Sequence, residues 1–576
     1  MNPSNLSASS TSLIALLAIA FLPARAALAA TCAELNGTAI PPSAIGLPTT
    51  GASVTTTTVA ATPTMGEYCK ASVAIHPVDK AAPDILAQVN LPAGWNGKAF
   101  MQGGGGYDGS IPNTTFNFAN GPVGKPAPLA QGYATFSSNS GHRANGLGSQ
   151  DGSFALNAEA LHNFAGDALK KTRDAAIHLI VQRYGRGPSF SYFVGGSSGG
   201  REALWVVQNT PKDFDGAVSM YPAWNAASLD LQFGRITRAL AKPGAYPNPN
   251  KQLVWVKAVI AACDKLDGLA DGLVSNVAAC HFNPATVRCP GGADTGDTCF
   301  SDAQISAMRV YGTPLFIPYR TGSGESFYPG FSVFVGADLT GSLDLNAQQP
   351  TSELMMKSDQ AAAAACAPLT QACPYKAMPY GSVFWDQWVK YFVTGDSHFD
   401  SLTLDPQHPG PYRDRISDLL GLQDVNRTDL SAFRKRGGKL LLMHGLADGL
   451  VATDATTEYY LRLIEDMGAK NVRRFVRYYT IPGLGHVFGS PRSAGGGFFA
   501  GWDPLPALEA WVENRQAPSG LVTTDQNTAT SGRTRPVCEW PSWPKYNGSG
   551  DPNSASSFAC VGSADQDADN EEESED

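Results

Sequence analysis

Ser197 sits in Gly195-Gly196-Ser197-Ser198-Gly199, a G-x-S-x-G pattern directly after the strand-like run Phe190-Ser191-Tyr192-Phe193. Small residues on either side let a chain turn sharply from strand to helix and present a serine as a nucleophile. A helix-compatible run, Arg201-Glu202-Ala203-Leu204-Trp205, follows. A serine hydroxyl is a weak nucleophile until a base takes its proton and a third group orients that base. Two later segments supply both. The apolar run Lys439-Leu440-Leu441-Leu442-Met443 leads into His444-Gly445-Leu446-Ala447-Asp448, and Arg474 to Ile481 leads into Pro482-Gly483-Leu484-Gly485-His486. The chemistry expected is acyl transfer, with His486 taking the Ser197 proton and Asp448 stabilising the imidazolium.

Those three residues must be carried by strands. The runs at 439–443 and 474–481 read as buried parallel strands. Asp448 and His486 then lie just past strand C-terminal ends, where open α/β sheets bind ligands. The order Ser, Asp, His along the chain is that of α/β-hydrolases, not of chymotrypsin-like or subtilisin-like enzymes. Further strands are expected at Ile85–Leu91, Lys98–Met101 and Phe214–Met220, and helices over Ala158–Tyr184 and Leu505–Arg515. An oxyanion needs aimed donors. The N–H of Ser198 is one, and the glycine run 103–106 after an early strand is the natural second source.

Length and composition set the frame. A chain of 576 residues accommodates one large α/β core and a second domain. Charged residues are 16% and aromatics 10%, which marks a folded chain. Of the net charge of -9, eight charges sit in the last twelve residues. The body is therefore near neutral and does not suit nucleic acid, while the acidic tail suits a solvated, disordered segment. Leu13 to Leu22 is wholly apolar and Ala27-Leu28-Ala29 offers small residues for cleavage, so residues 1–30 read as a secretory signal, although no Lys or Arg precedes the apolar run. No later segment has eighteen unbroken apolar residues, so no membrane span is expected. The protein is expected to be secreted or periplasmic.

Ten cysteines fit export. Their spacing suggests local bridges, Cys32 with Cys69, Cys263 with Cys280, Cys289 with Cys299, Cys366 with Cys373 and Cys538 with Cys560, although sequence alone does not settle connectivity. From about residue 225 to 430 the strand-helix alternation breaks up, and this stretch reads as an insertion capping the core. It contains Cys263-Asp264-Lys265-Leu266-Asp267-Gly268-Leu269-Ala270-Asp271-Gly272-Leu273. Asp264, Asp267 and Asp271, with the carbonyls of Leu269 and Leu273, could offer a hard cation several oxygens at once. The same spacing also suits an Asp-Gly turn without metal.

Taken together, the segments Ser191 to Glu202, Cys263 to Gly272, His444 to Asp448 and Gly483 to His486 resemble the tannase/feruloyl esterase family, which includes mono(2-hydroxyethyl) terephthalate hydrolase. The resemblance implies an α/β-hydrolase core with a large inserted lid domain, a structural Ca2+ in the lid, and hydrolysis of esters of aromatic acids. It implies Ser197, His486 and Asp448 as nucleophile, base and acid, and the amides of Gly106 and Ser198 as the oxyanion hole. The organisation expected is a signal over 1–30, core over 31–224, lid with the calcium site over 225–430, core again over 431–561, and the acidic tail over 562–576.

Two departures stand out. In the family, cysteines usually occupy the positions before the serine and after the histidine and are bonded to each other; here they are Gly196 and Val487. Packing of Val487 and Phe488 is expected to hold the histidine loop instead, and Gly196→Cys with Val487→Cys to restore a stabilising bridge. Terephthalate monoester hydrolases use a lid arginine for the free carboxylate, and no equivalent is evident in the aromatic stretch Met378 to Phe392. Phe384, Trp385, Trp388 and Tyr391 either line an aromatic-binding pocket or form lid core. The leading expectation is a secreted serine esterase for a small-molecule phenolic acid ester. The alternatives are a terephthalate-type monoester hydrolase and a non-catalytic aromatic-ligand-binding protein on the same scaffold.

Overall fold

The computed structural model describes residues 29–562 except 123, 145, 338, 340–347, 357–377, 487–497, 528–529 and 531. The expected signal core, the Cys366–Cys373 pair, Val487 and Phe488, and the acidic residues after 562 lie outside the described residues.

One mixed sheet organises the chain. Its strands are β1 (Ala39–Ile40), β2 (Gly51–Val59), β3 (Tyr68–His76), β4 (Ile85–Pro92), β5 (Lys98–Gln102), β6 (Ala134–Ser138), β7 (Phe190–Gly196), β8 (Gly216–Met220), β9 (Lys439–Gly445), β10 (Val476–Ile481) and β11 (Cys538–Glu539). They lie in the order β1-β2-β3-β4-β6-β5-β7-β8-β9-β10-β11. From β6 to β10 every pairing is parallel, while β1 to β4 and β11 add antiparallel edges.

Because side chains alternate across a strand, the parallel strands feed two apolar layers. Phe193, Ala217, Leu440 and Leu442 join one layer, and Tyr192, Val194, Val218, Met220, Leu441 and Met443 join the other. The first layer includes α1 (Ala168–Tyr184) and α2 (Ser198–Asn209), and the second includes the helix Leu505–Asn514. Both faces are covered, which is why these strands read as continuous apolar runs rather than alternating ones. The α/β-hydrolase core expected from the motif order is the fold observed.

The expected helix over 158–184 is broken. Residues 163–167 form a π-turn with Gly166 at φ 156. A Cβ there would fall 2.0 Å from the Trp205 indole of α2, so the helix kinks where the two helices close on each other. Between 225 and 430 the described elements are mostly helices, including α3 (Ala226–Leu240), and the only ladder among them pairs Leu315–Phe316 with Phe327–Tyr328. The helix Tyr380–Gln387 packs on α3. Four disulfides, Cys32–Cys69, Cys263–Cys280, Cys289–Cys299 and Cys538–Cys560, match the local pairing. Among the described residues no helix is long and apolar enough to cross a membrane.

Candidate active site

The parallel strands end at one edge of the sheet, and three loops meet there. Ser197 lies between β7 and α2 at φ 60, ψ -124, a strained conformation for a residue with a side chain. The turn closes only because its neighbours are small: a Cβ on Gly195 would fall 2.3 Å from the Gly199 carbonyl. Ser197 N–H donates to Met220 O at 3.0 Å, which ties the turn to β8.

His486 follows β10 and bridges the other two residues. Its Nε2 is 3.0 Å from Ser197 Oγ and its Nδ1 is 2.8 Å from Asp448 Oδ2. The partners assign the protons: Nδ1–H donates to the carboxylate, and Nε2 accepts from the serine. Asp448 is fully buried. Its Oδ1 accepts from the N–H groups of Leu450 and Val451 at 2.8 and 2.9 Å. Burial pushes its carboxyl up, but the charges and hydrogen bonds of His486 and His444 outweigh this and hold it well below the usual carboxylate range.

His444 is an addition that the motif reading did not single out. Its Nε2 stands 3.2 Å from Asp448 Oδ2 and 3.1 Å from Val451 O, and its Nδ1 stands 2.8 Å from Thr456 Oγ1. Nε2 faces two acceptors, so it carries the hydrogen, and the threonine hydroxyl donates to Nδ1. The available signal was its place, four residues before Asp448 at the end of the same strand.

The N–H groups of Gly106 and Ser198 make no hydrogen bond within the protein among the described residues, and both residues line the cavity beside Ser197. Ser198 Oγ donates to Gly106 O at 2.6 Å and joins the two loops. Two buried carboxyls brace the glycine loop from behind. Glu202 Oε2 accepts from Gly104 N–H at 2.9 Å, and Asp108 Oδ1 accepts from Gly105 N–H at 2.8 Å. Burial raises both carboxyls, and the Asp108 charge raises Glu202 further. Glu202 lies within the quoted motif, but its partner Asp108 comes from another loop.

The cavity measures about 480 Å³. Its apolar wall includes Leu229, Phe233, Tyr380 and Phe384. Of the four candidate aromatics Phe384 lines the cavity, whereas Trp385, Trp388 and Tyr391 are not among those lining it. Tyr380 and Phe384 are four apart and share the helix face turned to the cavity. Trp385 and Trp388 take the other side, stacked at 6.0 Å, with Trp385 Nε1–H bonded to Ser401 O at 3.1 Å. Trp385, Trp388 and Tyr391 are all buried.

Of the departures, Gly196 proves decisive. A Cβ there would fall 2.5 Å from Tyr221 Oη, so a cysteine cannot be added without displacing that buried ring. The expected stabilising bridge between positions 196 and 487 therefore does not follow.

The acidic loop begins as a 3-10 turn over Asp264–Asp267. Asp264 Oδ1 accepts from the N–H groups of Asp271 and Gly272, Asp267 Oδ1 from Leu269, and Asp271 Oδ1 from Leu273. The second Asp271 oxygen is bound by the Arg535 guanidinium. Burial pushes the Asp267 carboxyl up to about 6, with the Asp271 and Asp264 charges adding to it. Among the described residues, no group of three His, Cys, Asp or Glu side chains is arranged to hold a metal ion. The fit to a cation is therefore partial: one loop gathers mutually repelling carboxylates, and Arg535 already neutralises one of them.

The pattern of the family described as tannase and feruloyl esterase matches residues 69–561. The chain is 36% identical over 567 residues to an uncharacterized esterase of Agrobacterium fabrum, covering 95% of this chain and 96% of that one. It is 30% identical over 543 residues to mono(2-hydroxyethyl) terephthalate hydrolase of Piscinibacter sakaiensis, covering 86% and 85%. The crystal structure of feruloyl esterase B from Aspergillus oryzae superposes with a TM-score of 0.68 at 23% identity, over 89% of this chain and 98% of that one.

Proposed function

We propose, from the premise that this chain belongs to the tannase and feruloyl esterase family and is a carboxylic ester hydrolase, that it cleaves esters of uncharged phenolic acids through an acyl-enzyme on Ser197. The observation that carries the mechanism is His486, held between Ser197 Oγ at 3.0 Å and Asp448 at 2.8 Å. As Ser197 Oγ attacks the ester carbonyl, its proton moves to His486 Nε2. The developing oxyanion takes the N–H groups of Ser198 and Gly106. His486 then gives the proton to the leaving alcohol. Water, deprotonated by the same nitrogen, releases the acid and frees the serine. Asp448 keeps Nδ1 protonated throughout, and His444 holds Asp448 in place.

The substrate reading rests on the cavity wall. Among the described residues it carries no Lys or Arg, but it does carry Asp108 and Asp230. The Tyr107 hydroxyl donates to Asp230 Oδ2 at 3.1 Å, and burial pushes the Asp230 carboxyl well above its ordinary range. An acyl group bearing its own carboxylate would be desolvated there without a cation. A phenolic hydroxyl would instead meet an acceptor. The terephthalate reading has the Piscinibacter sakaiensis relative in its favour and this wall against it.

Methyl ferulate, methyl gallate and a terephthalate monoester, ranked by kcat/KM, test the reading. The better of the two phenolic esters is expected to exceed the terephthalate monoester by at least about tenfold, a difference of roughly 1.4 kcal/mol in transition-state binding. The reverse rank would overturn it. Binding of the phenolic esters without turnover would instead favour a ligand-binding protein.

The leader-like residues 13–30 and the four disulfides support export to an oxidising compartment. Asp264, Asp267 and Asp271, with the carbonyls of Leu269 and Leu273, are the residues that would hold a structural calcium ion. Its contribution would be to offset the repulsion among these carboxylates, not to take part in ester cleavage. Calcium is expected to raise the melting temperature by a few degrees over chelator-treated protein, and Asp267→Asn to abolish the difference. Equal melting curves in calcium and in chelator would refute the site.

A further inference from the structure

We infer that Tyr221 is a positioning residue that sets His486 against the nucleophile turn, and that position 196 is glycine because this ring occupies the space a side chain would need. The inference rests on the proposed Ser197–His486–Asp448 mechanism and goes beyond it. Tyr221 immediately follows β8 and is fully buried. It adopts φ 33, a conformation rarely held by a residue with a bulky side chain, so surrounding contacts must hold it there. Three of them are visible. Its N–H donates to Met443 O on β9 at 2.6 Å. Its hydroxyl donates to Asn120 Oδ1 at 2.7 Å, and the Asn120 carbonyl in turn accepts from Trp502 N–H at 2.9 Å. Its ring meets the His486 imidazole at 5.0 Å between centroids and 66° between planes.

On its other side the ring abuts the backbone just before the nucleophile. A Cβ at position 196 would fall 2.5 Å from Oη and 2.6 Å from both Cε2 and Cζ. Those distances lie far inside van der Waals contact, and the ring atoms are the rigid end of a buried, hydrogen-bonded side chain. One ring therefore touches both partners of the first proton transfer, the turn that carries Ser197 and the loop that carries His486. Rigid packing can do this without a covalent tether, because a buried aromatic has few rotamers and the Asn120 bond fixes its rotation. Tyr221 also lines the cavity, so its effect on geometry must be separated from substrate contact.

The test uses the full chain and 4-nitrophenyl acetate, an acyl group too small to depend on the cavity wall. Tyr221→Ala is expected to lower kcat by about 30–100-fold with KM changed less than about threefold, the scale of loss that an ångström of misplacement causes. Tyr221→Phe, which keeps the ring, is expected to restore kcat to within about fivefold of wild type. Gly196→Ala alone is expected to cost about tenfold or more, yet less than about twofold when added to Tyr221→Ala, because the space is then open. If Tyr221→Ala does not fold by circular dichroism, Tyr221→Leu replaces it with the same expectations. A kcat within threefold of wild type in the Ala or Leu variant would overturn the inference. So would a rise in KM with kcat unchanged, which would make Tyr221 a substrate contact. So would an equal cost of Gly196→Ala in both backgrounds. Ser197→Ala run alongside separates the two levels: if it retains activity the mechanism itself fails, whereas an inactive Ser197→Ala with an unaffected Tyr221→Ala defeats only this inference.

Discussion

Ser197→Ala is expected to lower kcat by about 10⁵–10⁶, and adding His486→Ala to it is expected to cost almost nothing more. The reason is that the two residues act as one unit. His486 Nε2 contributes by accepting the proton of Ser197 Oγ across 3.0 Å, and without the hydroxyl there is no proton to accept. The residual rate, about 10³–10⁴ over water, would come from the Ser198 and Gly106 amides and from binding. Steady-state kinetics on the single and double variants check the result. Full additivity, with the double variant worse by the product of the singles, would show that the two side chains do not share a step.

The second large effect concerns Asp448. Asp448→Asn is expected to lower kcat by about 10⁴ while leaving the protein folded. Both oxygens of the native carboxylate are acceptors. Oδ1 serves the Leu450 and Val451 amides, and Oδ2 serves His486 and His444. An asparagine has one acceptor and one donor end, so one of these two sets must face an NH2 group. If the donor end faces His486, the imidazole turns to the wrong tautomer, with hydrogen on Nε2, and cannot accept from Ser197. If it faces the two backbone amides, donor meets donor at a buried site. Stability carries a second signature. The carboxyl of Asp448 is held below its unfolded value, so it contributes stability fully above about pH 4, lost only as pH falls toward the folded value. The asparagine variant should therefore be less stable than wild type in urea at pH 7, with the gap narrowing only below about pH 4. A gap that is constant from pH 7 to pH 3 would contradict the assignment.

How far the site was legible follows from what each residue depends on. Ser197, Asp448 and His486 could be read because each lies shortly after a strand-like run, and because their order along the chain matches that of α/β-hydrolases. The strand ends themselves ran two residues further at β9 and three further at β7 than the apolar runs suggested. Glycines there continue the ladder without signalling burial. The aromatics between 384 and 391 were harder. Phe384, Trp385 and Trp388 are alike as residue types, and only the contact between the helix Tyr380–Gln387 and α3 decides which of them faces the cavity. Tyr380 and Phe233 went unread for the same reason. The buttress of Asp108 and Glu202 behind the glycine loop was likewise hidden, because a buried carboxyl looks like a surface one until its partner is known.

What the sequence by itself determined is therefore the hydrolase core, the local disulfides at four pairs, and the three residues Ser197, Asp448 and His486 that the fold brings within hydrogen-bond distance. All of these rest on short-range patterns: strand periodicity, a turn that tolerates only small residues, and cysteines near one another along the chain. Tertiary structure alone decided that His444 bonds Asp448, that Trp385, Trp388 and Tyr391 are buried and not among the residues lining the cavity, and that Tyr221 fills the space beside Gly196. These are contacts between segments distant in the chain. They depend on how side-chain volumes interlock once the sheet has formed, and no spacing rule encodes that.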